Sequence, residues 1–316
     1  MSDTPYHVDL DSIRRAFPPE VEPPSLLLDF AKWLQGRPWG AVGCFELRGQ
    51  FADTAPLFDS SPLRGSFALF MRLPDGSAVG AWYGAGLDGD APPIVGLGSE
   101  GEYEILAPSL EEFLTRLTLG DFDDAWHDLL PHDETDCQTA ELARWLAARG
   151  PDARQPEEDE ASSGLPDFRG FIDKWSRDRE DYWANHRMMA ELGWRLAAHL
   201  PTGKNAWDKT HFEVAIVGSQ YQARVLRRGP QPFEGATSIE SLLRELREDM
   251  RRAQPELGLW YGMQFGLYAD GRVMPRFDYE ERPMIGDLPA ELSEAKSDLA
   301  RAPRPERWVP AWLAAS

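Results

Sequence analysis

The chain has 316 residues, 42% of them hydrophobic, and a formal net charge of −20. The length predicts two domains, and an acidic field of this size repels nucleic acid and anionic membranes while attracting basic partners. No run of about eighteen apolar residues occurs, so no membrane span is expected. The opening stretch puts acidic residues before its first basic ones and lacks an apolar core, so it does not read as a signal peptide and a cytoplasmic protein is expected. Cys44 and Cys137 have no partner at metal-site spacing and read as two free thiols.

The acidity is uneven. Residues 1–150 hold 25 acidic and 10 basic side chains, a net of −15, whereas residues 151–316 hold 28 and 23, a net of −5. Between these parts the segment 151–166 combines Pro, Gly and Ser with four consecutive acids, Glu157 to Glu160, and shows no apolar periodicity. It reads as a linker between a domain at 1–150 and a domain at 167–316.

In chain order, the first predicted element is a helix from Pro24 to Gln35, with Leu27, Phe30, Trp33 and Leu34 on one face. Strands are predicted at Val42–Leu47, Phe67–Leu73 and Ala78–Tyr83, the last two joined by a Pro74-Asp75-Gly76-Ser77 turn. Next comes Gly96-Leu97-Gly98-Ser99-Glu100-Gly101, which spells the G-x-G-x-x-G of a dinucleotide site. In that motif the third glycine opens a helix whose N–H groups hold a pyrophosphate. Here Gly101 is followed by alternating Glu102, Tyr103, Glu104 and Ile105, a strand pattern with carboxylates that would repel a phosphate. The stretch reads as a hairpin over Ile94–Leu106, with no cofactor. Ser109, with Glu112 three residues on, caps a helix over Leu110–Leu119. Asp121–Trp126 enters a polar stretch, and a helix follows at Ala140–Ala148.

In the second part, helices are predicted at Phe168–Arg179 and Tyr182–Leu200, the latter with a stripe of Met189, Leu192, Leu196 and Leu200. Strands Phe212–Val217 and Tyr221–Leu226 follow. A helix begins beyond Ser238 as its N-cap, with Glu-to-Arg pairs on its exposed face. The stretch 259–283 reads as a hairpin turning at Ala269-Asp270-Gly271, and a helix at Pro289–Ala300 precedes a tail with Trp308 and Trp312. Strands paired by short turns and flanked by helices make each domain α+β, with a mainly antiparallel sheet.

No catalytic signature survives inspection. His127, His132 and Cys137 stand at spacings that place no two on one helix face, so no metal is expected. No G-x-S-x-G occurs, Gly203-Lys204 lacks the phosphate-loop spacing, and His186 and His199 are lone helix histidines. Aromatics beside carboxylates instead suit a protein interface, the rings giving buried area and the acids steering a basic partner. On clustering alone the contact residues are Trp82, Tyr83, Asp88, Asp90, Asp121, Asp123, Asp124 and Trp126.

The stretches 30–49, 67–83 and 93–120 (helix, strands, a Pro-Asp-Gly hairpin, the GSEGE turn, an LAPSLEEFL helix) resemble the SUKH superfamily over about Ser25–Gly120. Trp260–Glu280, with the amphipathic helix before it, resembles the YezG-like immunity proteins over about Asp167–Pro310. These resemblances imply a bacterial immunity protein that binds and neutralises a toxin, with no catalysis of its own. A basic nuclease or nucleic-acid deaminase, covered at its active-site surface, is the partner expected from the charge. A non-catalytic scaffold, as SUKH domains serve in fungal cell-wall signalling, and an enzyme of unrecognised class are the alternatives.

Overall fold

The structure is a computed structural model and describes residues 4–49, 65–84, 91–131, 137–149, 165, 167–200, 209–226, 230–233 and 235–314. The linker reading at 151–166 lies outside the described residues, apart from Leu165. The fold is α+β, in two compact units, Met1–Asp173 and Lys174–Ser316. Among the described residues no helix is long and apolar enough to cross a membrane.

The first unit is built on a six-stranded sheet in chain order: β1 (Val8–Asp9), β2 (Glu46–Arg48), β3 (Phe67–Arg72), β4 (Ala78–Trp82), β5 (Ile94–Leu97) and β6 (Tyr103–Ala107). All neighbours pair antiparallel except β1 with β2. Every residue of β4 and β5 is buried, so these strands are covered on both faces and read as continuous apolar runs. One face carries the main core, into which α1 (Leu10–Ala16) sends Ile13, α2 (Ser25–Leu34) sends Leu27, Phe30 and Leu34, α3 (Leu110–Leu119) sends Phe113, Leu114 and Leu117, and α4 (Thr139–Ala147) sends Leu142. On the other face Phe67 and Trp82 meet Phe168 and Phe171, with Trp82 ring centroids 4.8 and 5.2 Å from the two phenylalanines.

Helix α4 is fastened to α2 by a stack of rings and cations. Trp33 and Trp145 lie 5.8 Å apart, Arg37 sits 3.7 Å over the first ring and Arg149 3.9 Å over the second. Arg37 also bonds Gln138 and pairs with Glu141 at 2.8 Å. The Ser109 cap forms as expected, its Oγ accepting the Glu112 N–H at 3.2 Å, and Gly120 ends α3 in the left-handed region.

Two features of this unit depart from the sequence reading. The N-terminal β1–α1 element carried no periodic signal, because it is a two-residue strand and a seven-residue helix held by the Asp9 cap. The strand expected at Val42–Leu47 is confined to Glu46–Arg48. The Tyr6 hydroxyl takes the Val42 and Gly43 N–H groups and donates to the Gly43 carbonyl, while Cys44 N–H bonds the Asp128 carbonyl. Those peptide groups are therefore withdrawn from any ladder.

The second unit centres on a five-stranded antiparallel sheet in the order β11–β10–β7–β8–β9, with β7 at Lys209–Val217, β8 at Gln220–Leu226, β9 at Pro230–Pro232, β10 at Gly262–Tyr268 and β11 at Val273–Asp278. Helix α5 (Phe168–Asn185), within which the division between units falls, runs through Glu180-Asp181 and breaks at His186, so the expected break near residue 180 is corrected. His186 is extended, and its ring lies 5.3 Å from Trp183, which packs on Phe277. No Gly or Pro marks the spot in the sequence. Helix α6 (Arg187–Ala197) buries Met189, Leu192 and Leu196.

Helix α7 (Ala236–Ala253) starts two residues before Ser238, whose hydroxyl donates to the Gly235 carbonyl instead of capping. Its Glu240–Arg244 pair forms at 2.9 Å. A short hairpin, β12 (Met284–Ile285) and β13 (Leu288–Pro289), leads to α8 (Leu292–Arg301) and α9 (Ala311–Ala314). Trp308 is buried, and Trp312 packs edge-on against Tyr261.

Candidate interaction surface

The Gly96–Gly101 stretch is a hairpin: β5 and β6 pair antiparallel with Gly96 opposite Glu104, and Gly101 takes a φ of +99° at the turn. Gly96 is glycine for a second reason. A Cβ there would run into the ring of Trp126, which a 3₁₀ turn at Asp124–Leu129 lays over the strand. The Trp126 indole N–H donates to the Glu104 carboxylate.

Pairing of β4 with β5 brings the tips of two hairpins together. Asp75 accepts from the Ser77 N–H and hydroxyl at 2.8 and 2.6 Å, and Ser77 Oγ accepts the Ser99 N–H at 3.0 Å. The result is one acidic rim: Asp75 on the first tip, Glu100 and Glu102 on the second, Glu104 on β6, and Asp121, Asp123, Asp124 and Asp128 around the 3₁₀ turn. Among the described residues none of Asp75, Glu100, Glu102, Glu104, Asp121, Asp123 or Asp124 has a lysine or arginine partner. Among the same residues Asp128 has only His127, 3.5 Å away. The crowding is felt electrostatically. Burial, with Asp123 nearby, pushes the Glu104 carboxyl above its ordinary value. Burial does the same to Asp128, Asp75 adding to the effect and His127 opposing it.

Of the residues singled out from the sequence, Asp121, Asp123 and Asp124 are exposed and belong to this rim. Trp82 and Trp126 do not serve as surface anchors. They are 2% and 1% exposed and form part of the packing, one against Phe168 and Phe171, the other against β5. Tyr83 is half-buried, its ring 6.4 Å edge-on from Phe17 and its hydroxyl pushed up to about 12 by burial. Trp82 and Tyr83 are successive strand-end residues and turn to opposite faces, so they cannot act as one anchor. Asp88 and Asp90 lie outside the described residues. Sequence reasoning passed over Asp75, Glu100, Glu102, Glu104 and Asp128. Their signal was present as acids in the two turns and on the strand, but only the β4–β5 pairing joins them.

The second unit holds a cleft of about 260 Å³ between α7, α8 and the β7–β8 turn. Its cations are already engaged: Arg247 pairs with Asp298 at 2.9 Å, Arg301 with Glu248 and Asp298 at 2.8 and 3.1 Å, and Arg244 with Glu240. Asp298 and Glu294 also accept the Gly218 and Ser219 N–H groups at 2.7 and 2.6 Å. This network pins the turn to both helices. Among the described residues no three His, Cys, Asp or Glu side chains converge as a metal site would need, and both cysteines are free. No protein-family model matches the chain, and comparison with curated proteins finds no relative.

Proposed function

We propose that this chain is a cytoplasmic bacterial immunity protein that binds a basic toxin and blocks its working surface, without catalysis of its own. The observation that carries the reading is the acidic rim of the first unit, seven carboxylates without a lysine or arginine partner among the described residues. Carboxylates gathered so closely repel one another: Asp123 adds to the burial that raises Glu104, and Asp75 adds to the burial that raises Asp128. A cationic partner relieves that repulsion, so part of the binding energy is set up before contact. Enzymes that act on nucleic acid carry basic clefts to hold phosphates, and such a cleft is the natural complement. Exposed Leu119 and half-buried Phe122 lie beside Asp121 and supply apolar contact area next to the acids. The resemblance of the first part to SUKH immunity proteins points the same way.

The test is co-expression with the protein encoded next to it, scoring rescue from growth arrest. Asp121→Lys with Asp123→Lys is expected to abolish rescue. Both positions are exposed, so stability should stay within about 0.5 kcal/mol. Full protection by this variant, shown to be folded, refutes the assigned surface.

A further inference from the structure

Among the described residues strand β6 is the last in its sheet and pairs only with β5. The Glu102 carbonyl accepts the Gly98 N–H at 2.6 Å, so Glu102 turns its peptide groups toward β5. Peptide direction alternates along an antiparallel strand. Glu104 therefore also faces β5, and the N–H and C=O groups of Tyr103 and Ile105 face outward. At the turn before the strand, the Gly101 carbonyl is taken by Arg169 at 3.0 Å, whose guanidinium also lies 5.5 Å from the Tyr103 ring. Among the described residues no backbone or side-chain partner meets the outward groups of Tyr103 or Ile105, and both residues are only half-buried. An open edge of this kind is a template for another strand.

The charge on the edge decides which strand. Glu102 and Glu104 alternate with Tyr103 and Ile105, so both carboxylates project on one face, beside Asp123. A second copy of this chain would set like charges opposite each other across the new ladder, which is unfavourable. A strand with lysine or arginine at alternate positions would pair with them. We propose that the free edge of β6 takes a basic extended segment of the partner as a seventh strand. Tyr103 and Ile105 then each exchange two backbone hydrogen bonds, and the segment's cations lie on Glu102 and Glu104. Backbone bonds supply affinity without demanding a particular sequence, and the alternating carboxylates supply the choice of register. The inference rests on the acidic surface proposed above and names how the partner engages it.

The probe is a heptapeptide alternating lysine with threonine and valine, set against one of equal charge in which the intervening residues are proline and no ladder can form. Binding to the full chain is measured at physiological ionic strength by calorimetry, and amide exchange is followed at Tyr103 and Ile105. The alternating peptide is expected to bind about tenfold or more tightly than its proline counterpart and to slow exchange at those two amides. Ile105→Pro removes one outward N–H and costs no bond to β5, so it should fold and weaken the alternating peptide by about tenfold. The exchange measurement on the parent chain judges the proposal even if that variant does not fold. Equal binding of the two peptides without protection at Tyr103 and Ile105 overturns the edge assignment and leaves the acidic surface standing. Failure of both peptides to bind also overturns it, while the rescue assay continues to judge the surface separately.

Discussion

Replacing Trp126 with alanine separates a core ring from a docking anchor. A buried tryptophan removes about 150–250 Å² from water, which at roughly 25 cal/mol per Å² is about 4–6 kcal/mol. Alanine retains a small share of that, and aromatic-to-alanine changes in cores cost about 3–5 kcal/mol. The upper end is expected here, because the ring covers Gly96, which has no side chain to fall into the space, and because Glu104 loses the indole N–H. For a unit of this size each kcal/mol shifts Tm by about 2–4 °C, so the loss should be on the order of 10 °C. Urea and thermal unfolding followed by circular dichroism measure it. Asp124→Lys, an exposed change in the same turn, is the control and should leave stability within about 0.5 kcal/mol. A loss below about 1 kcal/mol for Trp126→Ala, together with lost toxin rescue, would refute the packing argument and return the ring to the surface.

Asp298→Ala in the second unit leaves the guanidinium of Arg247, 2% exposed, without its carboxylate, and should cost about 3–5 kcal/mol in urea unfolding. Replacing both partners by apolar residues of similar volume should recover most of that, whereas equal losses for the single and double variants would show that the pair is not what holds α7 to α8. The share of stability that Glu104 and Asp128 contribute should also fall as pH rises through the carboxylate range. Glu104 and Asp128 hold protons more tightly when folded than at their ordinary values of 4.5 and 3.8, so the stability they contribute is full below those values and is lost as pH climbs through the raised ones. Glu104→Gln, whose amide oxygen can still accept the Trp126 N–H, should flatten that slope and raise the urea midpoint at neutral pH. An unchanged slope would show that the Glu104 carboxyl is not raised in the folded chain.

Features governed by a few neighbouring residues were legible in the sequence. Ser109 caps α3, Pro74–Ser77 and Asp270-Gly271 turn hairpins, and Gly101 needs a left-handed φ, all because local backbone chemistry admits few alternatives. Alternation and helical spacing likewise predicted α2, β3 to β6, β7, β8, β10 and β11, and with them the α+β class. What depended on distant partners was not legible. The Tyr6 hydroxyl keeps Val42 and Gly43 out of the sheet from 36 and 37 positions away, and the Asp128 carbonyl holds Cys44. His186, packed beside Trp183, ends α5 without a breaking residue. Ser238 donates where it was expected to accept.

The candidate surface divides along the same line. Composition alone determined that the first part is strongly acidic, since net charge does not depend on where the residues sit. Which rings remain on the outside was decided by packing. Trp82 and Trp126 stand among carboxylates in the sequence, yet apolar surface is withdrawn from water wherever a neighbouring face can cover it, and here α5 and β5 do so. The rim itself is a product of pairing: acids from two turns, one strand and one helical turn meet because β4 aligns with β5. Charge adds along a chain, but contact is made only by folding.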